Sequence, residues 1–103
     1  MRHYKPDEYG ITKHRYTELT SFCLQYDEFS RRAGEDPAAR HNQIMIDDAI
    51  ADACGPDTGL RDYLRNAVRW GWPYERLGRV PCGRAQFYTL RRRFFWILDK
   101  ARK

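Results

Sequence analysis

Arg84, Gln86, Tyr88, Thr89, Arg92 and Arg93 fall within ten positions near the end of this chain, with Arg79 five residues ahead of them. Their side chains share one kind of chemistry. Arginine carries a planar fork that matches phosphate or the guanine edge, so Arg84 and Arg92 suit either target. Gln86 and Thr89 offer a donor and an acceptor to base edges, and the Tyr88 hydroxyl can reach a phosphate. Arg79 and Arg93 complete the set expected to contact DNA. Phe87, Leu90 and Phe94 are interleaved at three- and four-residue spacing and would anchor a helix that carries the polar set outward.

Charge placement supports the same target. The chain carries a formal net charge of +5, but the two parts differ in sign. Residues 1–59 hold seven basic against eleven acidic groups, a net of −4. Residues 60–103 hold twelve basic groups against Asp62, Glu75 and Asp99, a net of +9. The nine basic residues from Arg61 to Arg93 are all arginine. A polyanion partner for the C-terminal part follows, since concentrated like charge otherwise repels itself.

Other chemistries find little support. Asp47, Asp48 and Asp52 are a candidate carboxylate metal site, but the apolar phase of their segment turns Asp48 and Asp52 toward solvent. His3, His14 and His41 lie on three segments without metal-ligand spacing, and no metal or cofactor is expected. Ser21 and Ser30 lack a partnering His and Asp pattern, and no Gly-rich phosphate loop occurs, so no catalytic residue is assigned. Cys82, near Arg84 at a helix start, reads as a small capping residue rather than an activated thiol. Three cysteines, Cys23, Cys54 and Cys82, without CxxC spacing indicate neither a disulfide framework nor zinc. A reduced, cytoplasmic protein is the expectation. The first six residues hold no apolar run for a secretion signal, and the longest apolar run is Phe94 to Leu98, which excludes a membrane span.

The elements that must position the arginines follow from apolar period and punctuation. At 103 residues, 42% hydrophobic and 32% charged, the chain is one soluble domain at most. Residues 1–10 read as an extended arm. Thr12 caps a helix in which Tyr16, Leu19, Phe22, Cys23, Tyr26 and Phe29 share a face, ending near residues 31–34 with Gly34 as a left-handed cap. Asp36-Pro37 opens a second helix, with Ile46, Ala49, Ile50 and Ala53 inward and Gly55-Pro56 at its end. Asp57 or Thr58 caps a third, with Leu60, Tyr63, Leu64, Ala67 and Val68 inward and Gly71 as its stop. Residues 12–70 thus form a helical N-terminal part. Trp70 and Trp72 read as core rather than as a platform for bases or an anchor for a partner, and Leu24 and Ile44 fall out of phase as a self-association patch or a contact with a further segment. Residues 72–101 then hold a short helix, a tight turn and a long final helix from about Gly83. In that helix Phe87, Leu90, Phe94, Ile97, Leu98 and Ala101 face inward, and positions 85, 88, 89, 92, 96 and 99 lie opposite. The fold class is all-α: five helices with a C-terminal helix-turn-helix, whose second helix enters the major groove N-terminus first.

Three runs also carry a family likeness: Tyr74-Glu75-Arg76-Leu77, then Val80 to Tyr88, then Arg91-Arg92-Arg93-Phe94-Phe95-Trp96-Ile97-Leu98. Together they resemble the C-terminal part of short proteins of Gram-positive phages and mobile elements. Those proteins are similar to the ArpU/RinA-type phage transcription activators, with a helix-turn-helix like sigma region 4. The likeness covers about thirty of the 103 residues, with Tyr9 to Tyr16 and Phe22 to Tyr26 resembling the start of the same proteins. It implies sequence-specific binding of double-stranded DNA in transcription control, through Arg84, Gln86, Tyr88 and Arg92. The acidic N-terminal half would then meet a basic host protein, RNA polymerase being the natural candidate. The rival is a phage-borne interaction protein that uses the arginine face to inhibit a host factor such as a defence nuclease. Neither reading sets the oligomeric state.

Overall fold

Thr12 does what its place before an apolar period predicts. Its Oγ1 accepts from the Arg15 N–H at 3.1 Å and starts α1, Lys13–Cys23. A computed structural model describes residues 10–103; apart from Gly10, the arm expected over residues 1–10 lies outside the described residues, and so does His3. All regular structure among the described residues is helical: five α-helices and two single turns of 3₁₀-helix.

The first helix is not continuous, contrary to the reading of one helix from Thr12 to about Arg31. Leu24 and Gln25 close α1 with bonds back to Thr20 O and Phe22 O, and α2 restarts as Tyr26–Arg32. The two halves have different partners, since α1 lies on α4 and α5 while α2 lies on α3. One straight axis cannot serve both. Gly34 is not the left-handed cap; Ala33 ends α2 in ordinary helical geometry.

Helix α3, Pro37–Cys54, is the centre of the fold and packs on α2, α4 and α5. Asp36 Oδ1 accepts from the N–H groups of Ala38 and Ala39, at 3.0 and 3.4 Å. Ile46, Ala49, Ile50 and Ala53 are buried, as their spacing requires. Gly55 then turns the chain at a φ of 57°, open to glycine and strained for other residues. Neither Asp57 nor Thr58 caps the next helix through its side chain; a 3₁₀ turn, Thr58–Leu60, leads into α4, Arg61–Trp70. Leu60, Leu64, Ala67 and Val68 are buried and Tyr63 only half-buried. Gly71 stops α4 in the left-handed region, with Trp72 N–H returning to Ala67 O at 3.1 Å.

The short helix expected after Gly71 is a single 3₁₀ turn, Tyr74–Arg76. The last helix, α5, is Arg84–Ala101. Its N-cap is Gly83 without a side-chain bond, so Cys82 is not a cap. Phe87, Phe94, Phe95 and Leu98 are buried in one core with Leu19, Ile46, Ile50 and Leu64. Two positions on α5 differ from their expected side. Ala101 is exposed, and Asp99, read as facing solvent, is 3% exposed. Asp99 is tolerated inside because Arg15 Nε donates to its Oδ1 while Lys103 Nζ stands 3.2 Å from Oδ2.

Trp70 and Trp72 are not core. Trp70 is 38% exposed, Trp72 half-buried, and their ring centroids are 4.6 Å apart. Arg69 and Arg76 cover the outer faces of this pair, at 4.1 and 4.3 Å from the ring centroids. Asp27 receives the Trp70 indole N–H at 3.1 Å and pairs with Arg69, so α2 is fastened to the end of α4. Leu24 and Ile44 are exposed, as their phase requires. No helix among the described residues is long and apolar enough to cross a membrane.

Candidate nucleic-acid interface

The first half of α5 exposes a polar face because its apolar residues keep to one stripe. Phe87 and Phe94 are fully buried, and Leu90 between them is partly so. Arg84, Ala85, Tyr88, Thr89 and Arg92 then line one open concavity on the outer side. Arg84 and Arg92 sit eight residues apart, about 12 Å along the axis. Ala85 follows Arg84 as a small, exposed side chain on the same concavity.

Gln86 and Arg93 turn to another side of the helix. They line a second depression, together with Leu90, Asp57 and the end of α3, and Thr89 borders both. The seven expected residues therefore do not form a single surface. Arg79 stands apart, exposed in the segment between the 3₁₀ turn and α5.

Several of these side chains already have protein partners. The Arg84 Nε donates to Glu75 Oε2 at 2.5 Å, and the guanidinium lies over the Tyr88 ring at 5.2 Å. The Glu75 carboxyl is held below its ordinary range, first by a bond to its own backbone N–H and then by Arg84, against the opposing effect of desolvation. The Tyr88 hydroxyl accepts from the Tyr74 N–H at 3.0 Å, and the Tyr74 hydroxyl donates to Cys82 O at 2.6 Å. Tyr88 is thus half-buried and braces the 72–83 segment against α5, in addition to any contact with a ligand. Thr89 Oγ1 donates to Ala85 O at 3.1 Å and accepts from Arg92 at 3.3 Å. Arg91, outside the expected set, points inward to the Tyr16 hydroxyl at 3.3 Å.

Pairings across sequence distance were the part missed by sequence reasoning. Glu75 stands nine residues from Arg84, and no helical spacing connects them. Its one available signal was its isolation as the sole acid between Asp62 and Asp99.

The metal reading gains nothing from the geometry. Asp47 is occupied by the Tyr26 hydroxyl at 2.9 Å and by Arg65 Nε at 3.1 Å, and Asp48 and Asp52 are exposed. No group of three or more His, Cys, Asp or Glu among the described residues is placed to hold a metal ion. Asp48→Ala and Asp52→Ala should therefore leave stability within about 0.5 kcal/mol of the parent, checked by urea unfolding. The cysteines are free thiols with depressed acidity. Burial pushes Cys23 up to about 12 and raises Cys54, while burial and the charge of Asp57 raise Cys82.

No family model, curated protein or solved structure matches this chain.

Proposed function

We propose that this protein binds duplex DNA by laying the first turns of α5 in the major groove, as a transcription regulator of a phage or mobile element. The observation that carries the proposal is the concavity formed by Arg84, Ala85, Tyr88, Thr89 and Arg92, on a helix whose opposite stripe is locked in the core. On this side Arg84, Ala85 and Thr89 are exposed and Tyr88 and Arg92 half-buried, before Phe94 and Phe95 sink into the protein. The two arginines span a distance close to the width of the B-DNA major groove, about 12 Å. Ala85 offers a methyl contact to thymine, and Arg79 and Arg93 extend positive charge toward the flanking phosphates. A rigid helix end on a packed core costs little ordering when it binds.

One observation favours the rival. The segment ahead of α5 is a single 3₁₀ turn, which is short for the helix that crosses the DNA backbone in a helix-turn-helix. Under that reading the same arginines would meet an acidic protein surface on a host factor.

Fluorescence-anisotropy titration of Arg84→Ala and Arg92→Ala across a salt series tests the proposal. A lost forked base contact should cost about 1 to 3 kcal/mol and relax preference at one base pair. A lost phosphate contact should weaken all sequences alike and lower the salt slope by about one. Parent protein that binds no DNA at low salt would favour the rival, and folded mutants with parental affinity would remove these two residues from the site.

A further inference from the structure

We propose that Glu75 is a positioning residue for Arg84 and that it makes the binding face prefer guanine to bare phosphate, an inference that rests on the DNA reading above. The geometry is specific about which edge of the arginine is held. Glu75 Oε2 takes the Nε–H of Arg84 at 2.5 Å, and no partner among the described residues takes the two terminal nitrogens. Those two nitrogens form the fork that matches O6 and N7 of guanine. A carboxylate on Nε removes rotation about the end of the side chain and leaves that fork for a ligand.

The carboxylate is itself held in place. Glu75 sits in the 3₁₀ turn whose Tyr74 donates from its backbone to the Tyr88 hydroxyl and from its own hydroxyl to Cys82 O. Both ends of the Glu75–Arg84 pair are thus referred to α5. The Tyr88 ring beneath the guanidinium fixes its plane further, at 5.2 Å.

Charge argues for selectivity over tight binding. Glu75 is the only acidic residue between Asp62 and Asp99, in a stretch that is otherwise strongly basic. An acid on a phosphate-binding surface repels every nucleic acid alike and competes for the arginine. A side chain that only had to grip phosphate would bind better without it. A side chain that has to present a fork in one orientation binds the right base better with it.

The test compares the parent with Glu75→Gln and Arg84→Ala, using a random pool of 20-base-pair duplexes as the probe. Selection with the parent should enrich a motif containing guanine, and replacing that guanine by 7-deazaguanine, which lacks the N7 acceptor, should weaken binding about tenfold. Glu75→Gln should bind the unselected pool several-fold tighter at low salt, with a log–log salt slope steeper by about 0.9. It should also lose most of the sensitivity to 7-deazaguanine, as Arg84→Ala should. Circular dichroism checks that all three proteins are folded. Parental sensitivity in a folded Glu75→Gln, or a selected motif with no guanine, overturns the inference while the DNA reading stands. Parent protein that binds no duplex in the pool overturns the DNA reading and this inference with it.

Discussion

Phe87→Ala and Phe94→Ala should each cost about 3 to 5 kcal/mol of folding stability, the range for truncating a large aromatic in a packed core. Both side chains are fully buried, and each meets another ring. Phe87 lies 5.7 Å from Tyr74 and 6.0 Å from Tyr88, between centroids, so its loss also loosens the brace that holds the 72–83 segment. Phe94 lies 5.1 Å from Phe95, deeper along the same helix. Such a loss is a large part of the 5 to 15 kcal/mol that a domain of this size typically has. Urea unfolding midpoints equal to the parent's would show that the inward stripe of α5 is misassigned.

Arg15→Ala should cost about 3 kcal/mol, because it strands the Asp99 carboxylate inside the protein with Lys103 as its remaining cation among the described residues. Arg15 also binds Glu18 at 2.8 Å, and Glu18 in turn receives Arg102 at 3.0 Å, so the substitution unfastens α1 from the end of α5. Burial alone would raise the Asp99 carboxyl, but hydrogen bonds and charge from Arg15 and Lys103 prevail and hold it below the ordinary range. A carboxyl lowered in the folded state stabilises the protein at pH above its unfolded value, about 3.9, and that contribution is lost as pH falls through the folded value. Asp99→Asn should flatten this acid limb while leaving the neutral-pH protein folded. The measurement is urea unfolding of parent, Arg15→Ala and Asp99→Asn between neutral and acid pH. An Asp99→Asn protein with the parent's acid limb would show that the pair is not the source of the dependence.

Much of the framework was legible because it is written in local terms. Thr12 and Asp36-Pro37 announce helix starts through side chains that satisfy nearby N–H groups, and Gly55 and Gly71 announce stops through a conformation that suits them. The stripes Ile46–Ala49–Ile50–Ala53 and Phe87–Phe94–Leu98 needed only a period. The break at Leu24–Gln25 was not legible, since Cys23, Tyr26 and Phe29 continue a three-residue spacing across it and neither Gly nor Pro marks it. Its cause lies in what α1 and α2 each pack against, which is tertiary information. The burial of Asp99 was hidden for a related reason: a charge on a helix reads as solvated until its partner, here Arg15 at the other end of the chain, is known. Of the candidate site, the residue types and the outer face of α5 were legible. The division of Gln86 and Arg93 from Arg84 and Arg92 was not, because the second depression is completed by Asp57 and the end of α3.

Helix α5 is one unbroken rod, with Phe94, Phe95, Leu98 and Asp99 buried in its second half and Phe87 in its first. From the Asp99 latch to Arg84 it runs about 22 Å at the usual rise per residue. Phe87 holds the first half to the core as well, so the two ends of the rod move together, and on that length a tilt of about five degrees would shift one end against the other by about 2 Å. Forked contacts to a base tolerate far less displacement than that. On the DNA reading proposed above, the placement of Arg84 and Arg92 would therefore rest partly on Arg15 and Glu18 of α1, which pair with the far end of α5.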